Sequence, residues 1–184
     1  MQVTTAEKKT YEDYALLPEG AAIQLIDGEF IMSPAPGIFH QKISGRLYSA
    51  FDAFVSTHNR GTVLYAPVDV YFADTETFQP DIVFISRERL HIIKEERIEE
   101  APDIVIEILS PTTGYYDLSH KKDVYEGFGV KEYIIVDPKE ESVELLANSP
   151  NGFVRVAKVK GAGSIESSVL RGRTLDVGKL FASI

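Results

Sequence analysis

The sequence contains no cysteine, and it has no run of apolar residues long enough to cross a membrane. Without cysteine, disulfide bonds, iron–sulfur clusters, thiol nucleophiles and cysteine-ligated zinc are all excluded. A membrane-spanning helix needs about 20 apolar residues. The first 14 residues also lack the apolar segment of a signal peptide. These absences lead us to expect a cytoplasmic protein that does not insert into a membrane.

Basic residues are fewer than acidic ones, with 19 Lys and Arg and 28 Asp and Glu, which gives a net charge of −9. A broad phosphate-binding surface is therefore not expected, and any contact with nucleic acid would need a local basic patch or a metal ion. Hydrophobic residues make up 44% of the chain and charged residues 26%, as in ordinary folded domains. At 184 residues, a single domain spanning residues 1–184 is the natural expectation.

The hydrophobic pattern predicts an α/β (α+β) domain with a mixed sheet. Asp27-Gly28 suits a tight hairpin between two short strands, and apolar residues at three- and four-residue steps predict one helix from Ile38 to about His58. Alternation over residues 63–73 indicates another strand. The segments DIVFI and DIVIEIL are apolar on both faces, as in central strands. EYIIVD, SVELLA and FVRVAKV suggest a C-terminal antiparallel meander, whereas the residues from Gly161 onward are weakly patterned.

Glu107 lies within the apolar strand segment IVIEILS, where a carboxylate would pay a large desolvation cost unless a cation or several donors compensate it. Asp81 follows Pro80 at the start of DIVFI, a strand that we expect to neighbour the first. Two carboxylates converging from adjacent strands form a hard oxygen site that suits Mg²⁺ or Mn²⁺. The carbonyl oxygen of Ile108 could supply a further ligand. The alternative is that Glu107 pairs with a basic residue and Asp81 caps a turn.

The segment from Asp117 to about Gly129 reads as a helix capped by Asp117. Asp117, Lys121 and Tyr125 recur at four-residue steps and therefore share one face. Lys121 could reach the carboxylates and offset charge on a phosphoryl group as it develops. Lys122 points about 100° away and is expected in solvent. A lysine at such a position can also serve solubility alone.

The remaining polar candidates are weaker. His40 begins the long helix, where it can serve as a capping or surface residue, and Glu29 either reaches the same cleft or is an exposed strand residue. His58, His91 and His120 have no zinc-ligand spacing. The chain has no serine nucleophile elbow, Walker-type loop or dinucleotide-binding glycine motif.

Several segments in order, QPDIVFIS, APDIVIEILSPTT and KKDVYEGFGVKEYIIVDP, resemble the Uma-two family of restriction-endonuclease-like bacterial proteins. The resemblance extends from LIDGEFIMSPAPGIFHQKISGRL through Asp137-Pro138 and so covers most of the chain. It implies the PD-(D/E)XK fold, which is a mixed sheet flanked by helices. We expect the C-terminal antiparallel meander to follow this core. The last 40 or so residues contribute little to the resemblance.

The resemblance assigns Pro80-Asp81 to the PD motif and Glu107 to the acidic position of (D/E)XK. Leu109 stands where the motif lysine would be, and Lys121 in the following helix takes the role of that lysine. It also implies that His40 lines the cleft. Glu29 and Tyr125 are further candidates for supporting roles, Tyr125 by orienting Lys121. Gln24 is a second departure, because relatives usually have a glutamate before the sequence L-I-D-G-E.

The leading hypothesis is a Mg²⁺- or Mn²⁺-dependent DNA endonuclease in which Asp81 and Glu107 with the Ile108 carbonyl hold the metal and Lys121 stabilises the transition state. Duplex cleavage needs two cuts, and the resemblance suggests a homodimer, with apolar surface of the meander or the tail as its interface. A non-catalytic binding or assembly module would fit the charge of −9, Leu109 and Gln24. A hydrolase of small phosphoesters would fit the acidity better than long DNA does.

Overall fold

The computed structural model describes residues 7–110 and 115–182 of the chain, and the side chains of residues 115–117 lie outside this description. No helix in these ranges is both long enough and apolar enough to span a membrane. The helices are α1 (Tyr11–Tyr14), α2 (Ile38–Thr57), α3 (Tyr115–Gly127) and α4 (Val177–Phe181), with a 3₁₀ helix at Arg87–Ile92. The strands are β1 (Ile23–Ile26), β2 (Glu29–Met32), β3 (Gly61–Tyr65), β4 (Val70–Ala73), β5 (Glu76–Phe78), β6 (Ile82–Ser86), β7 (Ile104–Ile108), β8 (Glu132–Asp137), β9 (Ser142–Ser149), β10 (Gly152–Lys160), β11 (Ser164–Glu166) and β12 (Thr174–Asp176).

The strands form a large mixed sheet of order β10-β9-β8-β7-β6-β3 and a smaller antiparallel sheet of order β2-β1-β5-β4. In the large sheet, β7 is central, pairing antiparallel with β6 and parallel with β8. The parallel pair is possible because α3 forms the crossover between β7 and β8. The predicted mixed sheet and the antiparallel meander β8–β9–β10 are confirmed.

The two faces of the large sheet carry separate hydrophobic cores. One core contains Ile104, Ile106 and Ile108 of β7, which pack with the apolar face of α2. The other contains Val105 of β7 and Tyr125 of α3, together with residues of the smaller sheet. Because side chains alternate along a strand, β7 serves both cores at once. Its odd-numbered residues, including Glu107, therefore face α3.

Two local predictions are confirmed and one is wrong. The Asp27-Gly28 hairpin forms, with both residues at positive φ (48° and 75°) as a two-residue turn of this kind requires. The long helix forms at Ile38–Thr57 and buries the predicted stripe, except that Phe39 is 39% exposed. The single strand predicted over residues 63–73 is two strands in different sheets, because Pro67 has no N–H to give to a ladder.

The weakly patterned C-terminal segment completes the core on the α2 side. The pair β11–β12 and helix α4 bring Ile165, Leu175 and Phe181 against the large sheet. The segment is fastened by the buried carboxylate of Glu132, which accepts hydrogen bonds from residues 167–169 at 2.6–3.1 Å. Local periodicity does not predict the ordered structure of this segment, because contacts with residues distant in the sequence define it.

Asp103 anchors the start of β7, at the end of the strand opposite Glu107. Its fully buried carboxylate accepts a hydrogen bond from the Ser86 N–H at 2.8 Å and lies 2.5 Å from Lys131 Nζ and 3.4 Å from the Arg89 guanidinium. Burial by itself raises the pKa of Asp103, but the hydrogen bonds from Lys131 and Ser86 outweigh it, and the pKa is lowered.

We expect Asp103→Asn to destabilise the fold by about 1–3 kcal/mol at pH 7, the cost of leaving buried hydrogen-bonding groups poorly matched. A carboxyl group whose pKa is lowered by folding stabilises above its unfolded pKa of about 3.9, and this contribution is lost as the pH falls through the folded pKa. The free energy of unfolding of the variant, measured with urea, should therefore differ less from that of the wild type at pH 3 than at pH 7. Glu100→Gln, at an exposed partner of Arg89, is the control and should cost at most about 1 kcal/mol. An equal loss at both pH values would contradict this account.

Candidate active site

Asp81 and Glu107 lie at the same end of two neighbouring strands. Ile82 of β6 pairs with Ile106 of β7 in antiparallel register. Asp81 comes one residue before this pair on its strand, and Glu107 one residue after it on the other. The negative charge of Asp81 contributes to raising the pKa of Glu107, so the two carboxylates act on one another electrostatically. The predicted adjacency of the two strands is confirmed.

The Glu107 side chain is enclosed between β7 and α3. Its Oε1 accepts a hydrogen bond from the Tyr125 hydroxyl at 2.7 Å and lies 3.3 Å from Lys121 Nζ. Both donors are themselves buried, with Lys121 only 5% exposed. Burial raises the pKa of Glu107 above its usual value, and the positive charge of Lys121 offsets this only in part. The site therefore contains a carboxylate that a further positive charge would stabilise.

Asp81 and Ile108 form a second group of contacts at the end of β7. The Ile108 N–H donates to Asp81 Oδ2 at 2.7 Å, which fixes the plane of the carboxylate. His40, in the first turn of α2, places its Nε2 3.1 Å from the Ile108 carbonyl oxygen and 3.3 Å from Asp81 Oδ1. Since a carbonyl can only accept, Nε2 carries a hydrogen in this arrangement. His40 thus belongs to the same group of contacts as Asp81 and Ile108.

The pKa of His40 reflects two opposing effects. Burial by itself lowers the pKa, because it disfavours the charged imidazolium. The hydrogen bond and charge of Asp81, with the Ile108 carbonyl, act in the opposite direction and prevail, so the pKa is raised. The surroundings of His40 accordingly favour a positive charge beside Asp81.

The structure brings Lys121 to Glu107, although Leu109 occupies the position of the motif lysine. Residues 121 and 125 are one helical turn apart, so Lys121 and Tyr125 present their side chains to β7 together. Lys122 is half-buried on another side of the helix. The prediction that Asp117 caps α3 is wrong, because the helix begins at Tyr115. The side chain of Asp117 lies outside the described residues.

Gln24 holds the segment that carries Asp81. Its side-chain oxygen accepts from the Gln79 N–H at 2.9 Å, and its amide donates to Ser33 Oγ at 2.7 Å. The Gln79 side chain continues the network by donating to Asp69 at 2.9 Å. Gln24 is therefore a buried structural link to Gln79, the residue two positions before Asp81. Sequence reasoning missed Gln79, and its only signal was its position immediately before the PD motif.

The structure does not join Glu29 to the two carboxylates. Glu29 is exposed at the hairpin, and in residues 7–110 and 115–182 no hydrogen bond links it to Asp81 or Glu107. Over the same ranges no three His, Asp or Glu side chains form a cluster suited to a metal ion. A cation at this site would therefore depend on the Ile108 carbonyl as well as on side chains.

A further hydrogen-bonded contact near Lys121 was absent from the sequence reasoning. His120 Nε2 lies 2.9 Å from Glu76 Oε1, which ties α3 to the smaller sheet. The other oxygen of Glu76 accepts from the Asp27 N–H at 3.1 Å, so the hairpin joins the same contact. The residues are 44 positions apart. No local pattern could have paired them.

Comparisons with known proteins identify a family and a solved structure of similar fold. No curated protein sequence matches the chain significantly. A similar solved structure is that of "a putative nuclease belonging to DUF820 from Anabaena variabilis ATCC 29413", with a TM-score of 0.79 and 21% sequence identity over 94% of this chain and 97% of that one. This likeness confirms the predicted fold. A family model described as "Putative restriction endonuclease" matches residues 9–178. Because the match spans nearly the whole chain, the protein belongs to the Uma2 family.

Proposed function

We propose that this chain is a metal-dependent endonuclease that hydrolyses phosphodiester bonds in DNA. The observation that carries the proposal is the meeting of Asp81, Glu107 and Lys121, which are remote in the sequence, at one end of the large sheet. The description of the family and the name of the structural neighbour, which both refer to nucleases, support the same reaction class.

The donors present at the site fit Mg²⁺ or Mn²⁺. Magnesium usually binds one or two protein carboxylates and keeps its other positions for water and phosphate. Here the carboxylates of Asp81 and Glu107 and the carbonyl oxygen of Ile108 would hold the ion. The raised pKa of Glu107 agrees with this, since a nearby cation would favour its ionised form. When bound, such an ion polarises the phosphate and lowers the pKa of bound water.

The protein's own groups supply positioning and charge. Lys121 is held against Glu107, where its ammonium can stabilise negative charge that develops on the phosphoryl oxygens. Tyr125 fixes Glu107 by its hydrogen bond and so fixes the position from which Lys121 acts. Both side chains are buried, so water cannot easily replace these contacts.

Cleavage of both DNA strands requires two sites, so a homodimer is part of the proposal. The predicted interface was apolar surface of the meander or the tail. The tail instead packs against the core. In the meander, the edge strand β10 leaves Val154 and Val156 more than half exposed. Exposed apolar side chains on an edge strand are suited to pairing with another chain.

Replacement of either carboxylate tests the proposed activity. Supercoiled plasmid incubated with the protein and Mg²⁺ or Mn²⁺ should be nicked or linearised, and Asp81→Ala and Glu107→Ala should each slow this by at least about 100-fold because a ligand of the ion is lost. Glu100→Gln, at an exposed carboxylate, should retain the wild-type rate.

Other outcomes would identify the alternatives. Cleavage that survives both alanine substitutions would refute the assigned site. Metal uptake by calorimetry without cleavage of any nucleic acid would favour a hydrolase of small phosphoesters, which turnover of nucleotides would verify. The absence of both cleavage and metal uptake would favour a non-catalytic binding or assembly module.

Lys121 and Lys122 provide a matched pair on one helix. Lys121→Met should lower the cleavage rate by about 100-fold or more, because a buried charge directed at the phosphoryl oxygens is lost. Lys122→Met should leave the rate within about threefold of the wild type, as expected for a partly solvated side chain. The rates are measured on plasmid under saturating Mn²⁺, with circular dichroism to verify folding. Equal effects of the two substitutions would contradict the role of Lys121.

A further inference from the structure

A cavity of about 720 Å³ lies at the other end of the large sheet from Asp81 and Glu107. Its walls come from the C-terminal end of α2, the end of β6, the start of β7 and the segment between β11 and β12. Small-molecule sites occupy about 300–1,000 Å³, so the cavity is of a suitable size. Neither Asp81, Glu107 nor Lys121 lines it, so it is separate from the candidate active site.

Two arginines of this lining lie directly opposite one another. Arg60 immediately precedes β3, and Arg87 immediately follows β6. The two strands are antiparallel, with Gly61 paired to Ser86, and the Arg87 N–H donates to the Arg60 carbonyl oxygen at 2.9 Å. Residues opposite one another in such a pair are close neighbours on one face, and like charges placed there are destabilising. The arrangement therefore favours a negative charge between the two side chains.

Gly61 is what allows the two strand ends to approach so closely. Its φ is 145°, a conformation that favours glycine. A Cβ atom at this position would overlap the Ile85 carbonyl oxygen and crowd the Arg87 nitrogen. Any other residue would therefore push the strand ends apart and separate the two arginines.

The charges of the two arginines are not neutralised within the protein. In residues 7–110 and 115–182, no hydrogen bond or ion pair engages either guanidinium group. Asp103 also lines the cavity, but Lys131 and Arg89 already lie within 3.4 Å of its carboxylate. Glu88 is then one carboxylate against two arginines. The cavity thus has an excess of positive charge in a chain whose net charge is −9.

We infer that this cavity binds a small phosphorylated molecule, whose phosphate group lies between Arg60 and Arg87. The planar guanidinium group matches phosphate oxygens with two parallel hydrogen bonds. A phosphate monoester carries about two negative charges at pH 7 on three terminal oxygens, so it can satisfy both arginines. A carboxylate, with one charge and two oxygens, would balance only one of them. The inference goes beyond the proposed function and does not depend on it.

The remainder of the cavity fits an uncharged body attached to the phosphate. A phosphate group alone fills only a small part of this volume. Val169 and Leu170 contribute apolar surface, and Asn59 contributes a side-chain amide. The wall at residues 168–170 is already ordered, because the Glu132 carboxylate accepts the N–H groups of residues 168 and 169 at 2.6 and 3.1 Å. A mononucleotide has this combination of parts, so AMP is a suitable probe.

Calorimetric titration of the full chain with AMP, adenosine and inorganic phosphate tests the inference. The buffer contains EDTA, so no divalent ion at the proposed nuclease site contributes. We expect AMP to bind at least about tenfold more tightly than adenosine, because adenosine lacks the group that the arginines recognise. Inorganic phosphate should bind more weakly than AMP because it lacks the body. The affinity for AMP should fall as salt is added.

Substitution of each arginine locates the binding. Arg60→Gln and Arg87→Gln should each weaken AMP binding by about tenfold or more, since a charge-assisted hydrogen bond is lost. Arg155→Gln removes the same charge from an exposed position on β10, at the opposite edge of the large sheet. This control should stay within about threefold of the wild-type affinity. Circular dichroism verifies that each variant folds.

A measurement on the wild-type chain needs no variant at all. In ¹⁵N–¹H spectra, AMP should shift the amide signals of residues 59–61 and 86–88 and leave those of β10 unchanged. Shifts confined to other segments, or AMP binding no tighter than that of adenosine, would overturn the inference. Equal weakening by Arg155→Gln would do the same. AMP binding without plasmid cleavage would contradict the proposed function alone, and cleavage without AMP binding would contradict this inference alone.

Discussion

The structure depends on one buried ionisable contact, that of the Glu107 carboxylate with Lys121 and Tyr125. A carboxylate in the middle of an apolar sheet is costly unless donors surround it. Here the donors come from α3, so satisfying Glu107 also fixes the helix against β7. The compensation is incomplete, because the pKa of Glu107 remains raised. A hydrocarbon side chain at this position would avoid the desolvation cost, so an incompletely compensated carboxylate here agrees with the proposed chemical role.

Much of the fold is encoded locally and could be predicted. Asp27-Gly28 forms the hairpin because both residues tolerate positive φ. The stripe on α2 specifies burial by its period, and the short, largely apolar segments of β6 and β7 specify burial on both faces. The interruption of one such segment by Glu107 was itself the signal for the site, since an acid among β-branched residues needs an explanation.

The remainder depends on contacts between distant residues. The links from Gln24 to Gln79 and from Glu76 to His120 span 55 and 44 positions, and no local pattern in the sequence pairs these residues. The C-terminal segment is ordered by the carboxylate of Glu132 and by apolar contacts with the sheet rather than by its own periodicity. Helical spacing alone predicts that Lys121 and Tyr125 share one face. The distance of Lys121 from Glu107 depends on how α3 packs against the sheet, which the sequence pattern does not give.

Glu107 and Ile108 are adjacent in β7, yet they face the two different cores. Glu107 contacts Tyr125 in the layer that contains α3, and the carbonyl of Ile108 contacts His40 in the layer that contains α2. The candidate site therefore lies between the two layers, and it is complete only while both layers are folded against the sheet. Local opening of either layer would separate His40 from Lys121 and dismantle the site before the whole domain unfolds. Loss of the proposed nuclease activity on heating would then report the weaker of the two layers rather than the melting of the sheet.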